Sequence, residues 1–291
     1  MFLKITNDNI FISNFIDDKT MKRILRQLLL SILFLSTNVY AEIVVLVHGF
    51  DSNSQTWFKH GIAQQLQFNG WQNAGILTGF QPGGVHFHKP VKLTDNYFVL
   101  VDLPSKAPIH VQANYLNNFL NYLSNESPTQ LITIVAHSAG GIVARFVLVN
   151  NLSLPIKRLI TIASPHMGSA MAEIGELVAK SPMSIFTPIT GTDIGNAEDL
   201  LAQLKREDKG HFLFSLNRQF HPNIEYISIV RSDGSWFDGD YYVSPYSQNM
   251  NFVKGIFQSQ VIMSPGKHWL NFEDGLLLIQ ILNNKPLLKK S

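Results

Sequence analysis

The sequence predicts an α/β fold: a mostly parallel central sheet with helices on both faces. Two observations predict it. Apolar runs rich in β-branched residues recur along the chain, and segments with helical spacing separate them. A third is local. The run Leu131-Ile132-Thr133-Ile134-Val135 reads as a buried strand, ends in small residues around Ser138, and continues as the helix-compatible Ile142-Val143-Ala144-Arg145-Phe146-Val147-Leu148.

The elements follow in order. Ile43 to Val47 is the first strand, leading into His48-Gly49-Phe50. Trp57 to Phe68 can form a helix. Gly70 to Leu93, rich in Gly, Pro and His, predicts a loop. In it His86 and His88 read as surface-loop residues rather than a metal pair, because no carboxylate spacing accompanies them. Asn96 to Pro104 is the next strand. Val111, Tyr115, Phe119 and Tyr122/Leu123 give His110 to Ser124 a helical spacing. Lys157 to Ala163, Ile224 to Val230 and the run from Gln260 read as further strands, and Leu270 to Leu282 as a closing helix. Residues 169–215 interrupt the alternation with an apolar helix (Ala170 to Ala179), a Pro/Thr/Gly stretch (Ser181 to Gly195) and a polar helix (Ala197 to Glu207).

The chain has 291 residues, enough for one medium domain with its own core, and no cysteine. Disulfides, thiolate metal sites and a cysteine nucleophile are therefore excluded. Met21-Lys22-Arg23 opens a basic stretch. An apolar core, Leu28 to Leu35, follows and is too short to span a bilayer comfortably. Val39-Tyr40-Ala41 places small residues at −3 and −1. This order predicts a secretory signal cleaved after Ala41, with Met21 as the true start and residues 1–20 from an over-long gene prediction. The folded domain proper would then be residues 42–291, and the protein exported to the periplasm or beyond. The formal net charge of +2 arises from 23 basic and 21 acidic residues. Residues 1–41 hold five of the basic (Lys4, Lys19, Lys22, Arg23, Arg26) and three of the acidic (Asp8, Asp17, Asp18), leaving 18 of each beyond Ala41. The remaining chain is close to neutral, and no nucleic-acid-binding patch is evident.

A strand, a sharp turn carrying serine and a helix make a nucleophile elbow. The turn strains the serine backbone, so small residues are needed two before and two after it, and Ala136 and Gly140 supply them. Glycine usually stands in the first of these places, and alanine is the next smallest. A serine hydroxyl needs a base, and the base an orienting acid, in the chain order Ser, Asp or Glu, His. Among the histidines after Ser138, His268 follows the last strand on a Pro-Gly loop. His166, His211 and His221 adjoin Pro or Gly and read as surface or loop residues. For the acid, Asp233, Asp238 and Asp240 compete after the Ile224–Val230 strand; two of them are turn residues, with a weak calcium site as a remote alternative. Oxyanion donors would come from the N–H groups of Ala139, after the nucleophile, and Phe50, after the first strand. His48 reads as a brace of that loop.

Taken together these segments resemble the α/β-hydrolase superfamily, and within it the bacterial lipases and the GPI inositol-deacylase-like lipases. Leu46 to Phe50 is similar to their oxyanion segment, and Ala136 to Arg145 to their elbow. Ser164-Pro165-His166-Met167-Gly168-Ser169 is similar to their T-P-H-x-G-S segment, Phe212 to Asn217 to the stretch after their lid, and Lys267 to Asn271 to their histidine loop. The pattern after Asp240 resembles the lipase acid loop, which ranks Asp240 first, Asp238 second and Asp233 third. The resemblance implies a serine hydrolase of lipid or acyl esters with Ser138, Asp240 and His268 as its triad, no metal and no cofactor. It implies residues 169–215 as a lid, with Met167, Met171, Met183, Ile185 and Phe186 as candidates to line an acyl pocket, and transient contact with a membrane or lipid surface. An acyltransferase or thioesterase on the same triad, and a non-catalytic binding module of this fold, remain the alternatives.

Overall fold

A computed structural model of the chain describes residues 19–24, 26–27, 41–80, 84–88, 96–170, 197–232, 240 and 242–283. It divides into two compact units, Met1–Val39 and Tyr40–Ser291. In the first, the described residues are helical. No helix among the described residues is long and apolar enough to cross a membrane.

The second unit is an eight-stranded sheet. Its strands are β1 (Glu42–Val47), β2 (Gln72–Phe80), β3 (Gly84–His88), β4 (Tyr97–Asp102), β5 (Leu131–His137), β6 (Ile156–Ile162), β7 (Glu225–Arg231) and β8 (Gln260–Ser264). They lie in the order β3-β2-β4-β1-β5-β6-β7-β8. All neighbours are parallel except β2 and β3, an antiparallel hairpin at one edge. The helices are α1 (Thr56–Lys59), α2 (Ile62–Phe68), α3 (Ile109–Glu126), α4 (Ala139–Asn150), α5 (Glu198–Gln203), α6 (Phe212–Leu216), α7 (Pro245–Gln248) and α8 (Phe272–Leu282).

The near-continuous apolar character of β1 has a direct cause: both of its faces are covered. Ile43, Val45 and Val47 pack with α3 and α4, while Val44 and Leu46 pack with α1, α2 and α8. Period-two alternation thus feeds two cores, one on each face of the sheet. Truncating a fully buried leucine such as Leu46 or Leu100 to alanine costs about 2–5 kcal/mol in such a core.

The largest departure from expectation is residues 70–93. Instead of a loop, they contain the β2–β3 hairpin. Gly79 is not a turn residue there: a Cβ at that position would lie 2.3 Å from the Tyr115 ring, so the glycine lets α3 approach the strand. His86 and His88 lie on β3, exposed, with rings stacked 4.1 Å apart, rather than on a loop. The expected helix over residues 57–68 is two short ones, α1 and α2, separated at His60–Gly61. The polar helix is shorter than expected at Glu198–Gln203, and α8 starts at Phe272 because Asn271 and Asp274 form a reciprocal capping box. The expected apolar helix beyond Ala170, the stretch to Gly195, and Met171, Met183, Ile185 and Phe186 lie outside the described residues. Met167 is buried in the core beside α4.

Candidate active site

In open α/β sheets the binding crevice lies at the carboxyl ends of the strands, where the chain changes direction across the sheet. Here that point is β1–β5: β1 leads toward β2 and β4, and β5 toward β6, β7 and β8. Ser138 sits at the carboxyl end of β5. Its backbone has φ 51° and ψ −129°, a conformation that L-residues rarely adopt, and its N–H is fixed by the carbonyl of Ile162 at 2.9 Å. The turn that strains it is held by close packing. A Cβ at Gly140 would lie 2.4 Å from the carbonyl oxygen of His48, so the elbow rests directly on the loop after β1. That loop is braced by His48, as expected: its Nδ1–H donates to Gly49 O at 3.0 Å and its Nε2 accepts from Leu103 N–H at 3.0 Å.

His268 lies on the loop between β8 and α8, and Asp240 beyond β7. The Ser138 hydroxyl donates to His268 Nε2 at 2.8 Å, and His268 Nδ1–H donates to Asp240 Oδ2 at 2.5 Å. The three residues are buried, with 9%, 8% and 7% of their surfaces exposed. Asp240 is itself fixed. Its Oδ1 accepts the N–H groups of Tyr242 (2.8 Å) and Val243 (3.1 Å), and its Oδ2 accepts from Gln248 Nε2 at 3.3 Å. The carboxylate can therefore present only one oxygen to the imidazole. That contact fixes the imidazole tautomer with Nε2 free to take the serine proton. Residues 102, 130 and 28 positions apart in no fixed motif cannot be brought to this geometry by local structure; the sheet order does it. The competing Asp233 and Asp238, and with them the calcium alternative, lie outside the described residues. Ala139 opens α4, and Phe50 follows Gly49 at the end of β1.

Several residues around the site were not apparent in the sequence. Gln248, fully buried on α7, touches the acid and also accepts the N–H of Arg231 at 2.7 Å. Arg231 pairs with Asp274 at 2.6 Å, both wholly buried, and donates to the carbonyl of Trp269 at 3.0 Å. Tyr242 and Trp269, both half exposed, lie beside the His268 ring at 5.3 and 5.9 Å. A cavity of about 440 Å³ beside Asp240 is walled by Met167, Gly168, Ala170, Arg206, Tyr242 and Tyr246.

His166 and His221 lie on loops, as one of the two readings had it, but neither is at the surface. Both are buried against Arg145 of α4. Arg145 Nη2 donates to Asn217 Oδ1 at 2.7 Å and, with Nε, to His221 Nε2 at 3.1 and 3.2 Å; Nη1 lies 3.4 Å from His166 Nδ1. Burial, reinforced by the guanidinium, lowers the His221 pKa to about 4 and holds His166 well below its ordinary value. Burial also lowers Arg145 to about 9. His211 stands at the surface side, its Nδ1–H donating to Arg206 O at 2.8 Å. No group of three or more metal-ligating side chains occurs among the described residues.

A PGAP1-like alpha/beta domain model matches residues 107–179, from α3 through the elbow to the start of the insertion. No curated protein sequence matches the chain. Among solved structures, the mature form of the Bacillus licheniformis lipase BlEst2 matches with a TM-score of 0.57 at 18% identity, over 85% of this chain and 94% of that one. The putative cell surface hydrolase from Lactobacillus plantarum WCFS1 matches with 0.52 at 18% identity, over 86% and 94%. The metagenomic carboxyl esterase MGS0156 matches with 0.50 at 15% identity, over 80% and 66%. At these identities the likeness is one of fold. With the sheet order, it defines the chain as an α/β-hydrolase fold, and the hydrogen-bonded chain from Ser138 through His268 to Asp240 has the geometry of the Ser-His-Asp triad of a serine hydrolase.

Proposed function

We propose that the protein hydrolyses carboxylic esters of lipids or other acyl alcohols through an acyl-enzyme on Ser138. The observation that carries this is the relay of 2.8 and 2.5 Å contacts from Ser138 through His268 to Asp240. His268 Nε2 takes the Ser138 proton as Oγ attacks the acyl carbonyl. The imidazolium that forms faces the Asp240 carboxylate, and the negative charge on the carbonyl oxygen is received by the N–H groups of Phe50 and Ala139. His268 then returns the proton to the leaving alcohol. Water, deprotonated by the same nitrogen, releases the acid.

The lipid or ester class is supported by the lipase and esterase among the structural neighbours. The insertion between β6 and β7 serves in this reading as a cover. Its described ends support it, since Met167, Gly168, Ala170 and Arg206 wall the cavity beside Asp240, and Ser169 Oγ donates to the carbonyl of Tyr242. A cover excludes water and gives an acyl chain an apolar surface. Export, and transient contact with a lipid surface, belong to the same proposal. The basic, apolar and small-residue order of Met21 to Ala41 supports export.

Turnover of nitrophenyl esters from two to sixteen acyl carbons, with and without detergent, tests the substrate class. Activity that rises toward long acyl chains supports the lipid reading. Activity confined to the shortest acyl chains overturns it while leaving ester hydrolysis intact.

A further inference from the structure

His137 precedes the nucleophile, and the reaction as written gives it no task. Yet its position is peculiar. The ring is 4% exposed, and burial lowers its pKa to about 3, with the nearby His268 ring adding to the shift. It is therefore neutral throughout the range in which a histidine base works, and it carries a single N–H. That N–H, on Nε2, donates to the main-chain carbonyl of His268 at 2.9 Å. The other nitrogen, Nδ1, has no partner. The two rings lie 5.3 Å apart and tilted by 50°, so His137 touches the backbone of the base and not its catalytic nitrogens.

We propose that His137 is a positioning residue, which locks the backbone of the catalytic base to the strand that carries the nucleophile. The proposal rests on the triad reading above. Consecutive residues of β5 and its turn grip opposite ends of one residue: Ser138 Oγ meets the ring of His268, and His137 meets its carbonyl. The contact is useful because of where His268 sits. Its loop exposes Pro265, Gly266, Lys267 and Trp269 to solvent. The Asp240 contact restrains only the outer end of the side chain, and a ring held there can still swing if its Cα moves. Arg231 holds the next carbonyl, Trp269 O, from the other side at 3.0 Å. With both carbonyls held, Nε2 stays within attack distance of Ser138, and an error of about 1 Å in such an alignment costs on the order of 100-fold in rate.

The test compares His137→Gln with His137→Met. These two side chains have the same length, and only glutamine can donate to the carbonyl. Expected on a short acyl ester is a kcat within about fivefold of wild type for the Gln variant and about 10- to 100-fold lower for the Met variant. KM should change little in either; the Met variant, which leaves the His268 carbonyl without a donor, should melt somewhat lower, so kcat is compared at a temperature where both are fully folded. Equal kcat in the two variants, or a Met loss that appears only in KM or in the folded fraction, overturns the proposal. If neither variant folds, 15N-histidine NMR of the wild-type chain decides. A neutral His137 with its proton on Nε2 from pH 5 to 8 supports the lock, and a proton on Nδ1 overturns it. Ser138→Ala separates the two levels of the argument. Wild-type-like turnover in that variant removes the triad reading, whereas a dead Ser138→Ala beside equal Gln and Met variants removes the role of His137 alone.

Discussion

Two buried histidine clusters lie along α4, one at its start and one two turns further on, and they use the same side chain in opposite ways. At the start, His268 has a carboxylate on one nitrogen and a serine hydroxyl on the other. Further on, His166 and His221 face a guanidinium. Their remaining nitrogens contact a threonine hydroxyl and a main-chain carbonyl: Thr161 Oγ1 at 3.0 Å and Gln219 O at 2.9 Å. A histidine beside an anion can accept a proton in the course of reaction, because the anion stabilises the charged form. A histidine beside a buried cation cannot, and serves as a neutral acceptor that helps to satisfy the cation. Burial is common to both clusters; the sign of the neighbouring charge separates chemistry from scaffolding.

Substitutions that pull activity and stability apart put this contrast to the test. Ser138→Ala should lower ester turnover by about 10⁴- to 10⁶-fold with little effect on the melting temperature. Asp240→Asn removes the anion while keeping the shape of the side chain, and should cost about 10⁴-fold in kcat. Near-normal turnover in that variant would deny Asp240 its role and return Asp238 and Asp233 to consideration. At the other cluster the pattern should invert. Arg145→Met leaves acceptors on His166, His221 and Asn217 unpartnered, and should destabilise the fold by about 3 kcal/mol in urea unfolding. Its kcat, measured where the protein is folded, should fall far less than that of either triad variant.

Acid separates folding from catalysis in another way. His137 and His221 have folded-state pKa values lowered to about 3 and about 4, and His166 is lowered as well. Below the ordinary histidine value of 6.5 the unfolded chain therefore binds protons that the folded chain refuses. Stability should be undiminished by these groups above pH 6.5 and fall progressively from there toward pH 4, by about 2 kcal/mol at pH 5 for each of His137 and His221. Arg145→Met should flatten this dependence by easing the protonation of His166 and His221; an unchanged slope would mean that the guanidinium does not hold them neutral. The smallest effects belong to the surface. His86→Ala and His211→Ala should shift stability by less than about 0.5 kcal/mol and leave turnover alone.

The same contrast marks what was legible in the sequence. The elbow could be read because its determinants are local: a buried strand, a serine, and Gly140 where the backbone of His48 leaves no room for a side chain. His268 could be placed because chain order and the preceding strand point to it, whereas Asp240 ranks above Asp238 and Asp233 only by the resemblance of the pattern after it to the lipase acid loop. His166 and His221 could be placed on loops, but their burial could not be read because nothing beside them in sequence shows it; their partner Arg145 is 21 and 76 residues away. Gln248 escaped notice for the same reason, being one amide on a four-residue helix whose contact with Asp240 exists only once β7 is in place. The β2–β3 hairpin was hidden by its glycines, of which Gly79 makes room for Tyr115 and does not mark a turn.

The central claim is that Ser138 is an activated nucleophile. Reaction of the folded chain with a fluorophosphonate, followed by mass spectrometry of the proteolytic peptides, tests it most directly. The account predicts one phosphonyl group, on Ser138, formed in the wild type and abolished in both Ser138→Ala and His268→Ala. A label on another serine, or a label on Ser138 that survives His268→Ala at the wild-type rate, would contradict it.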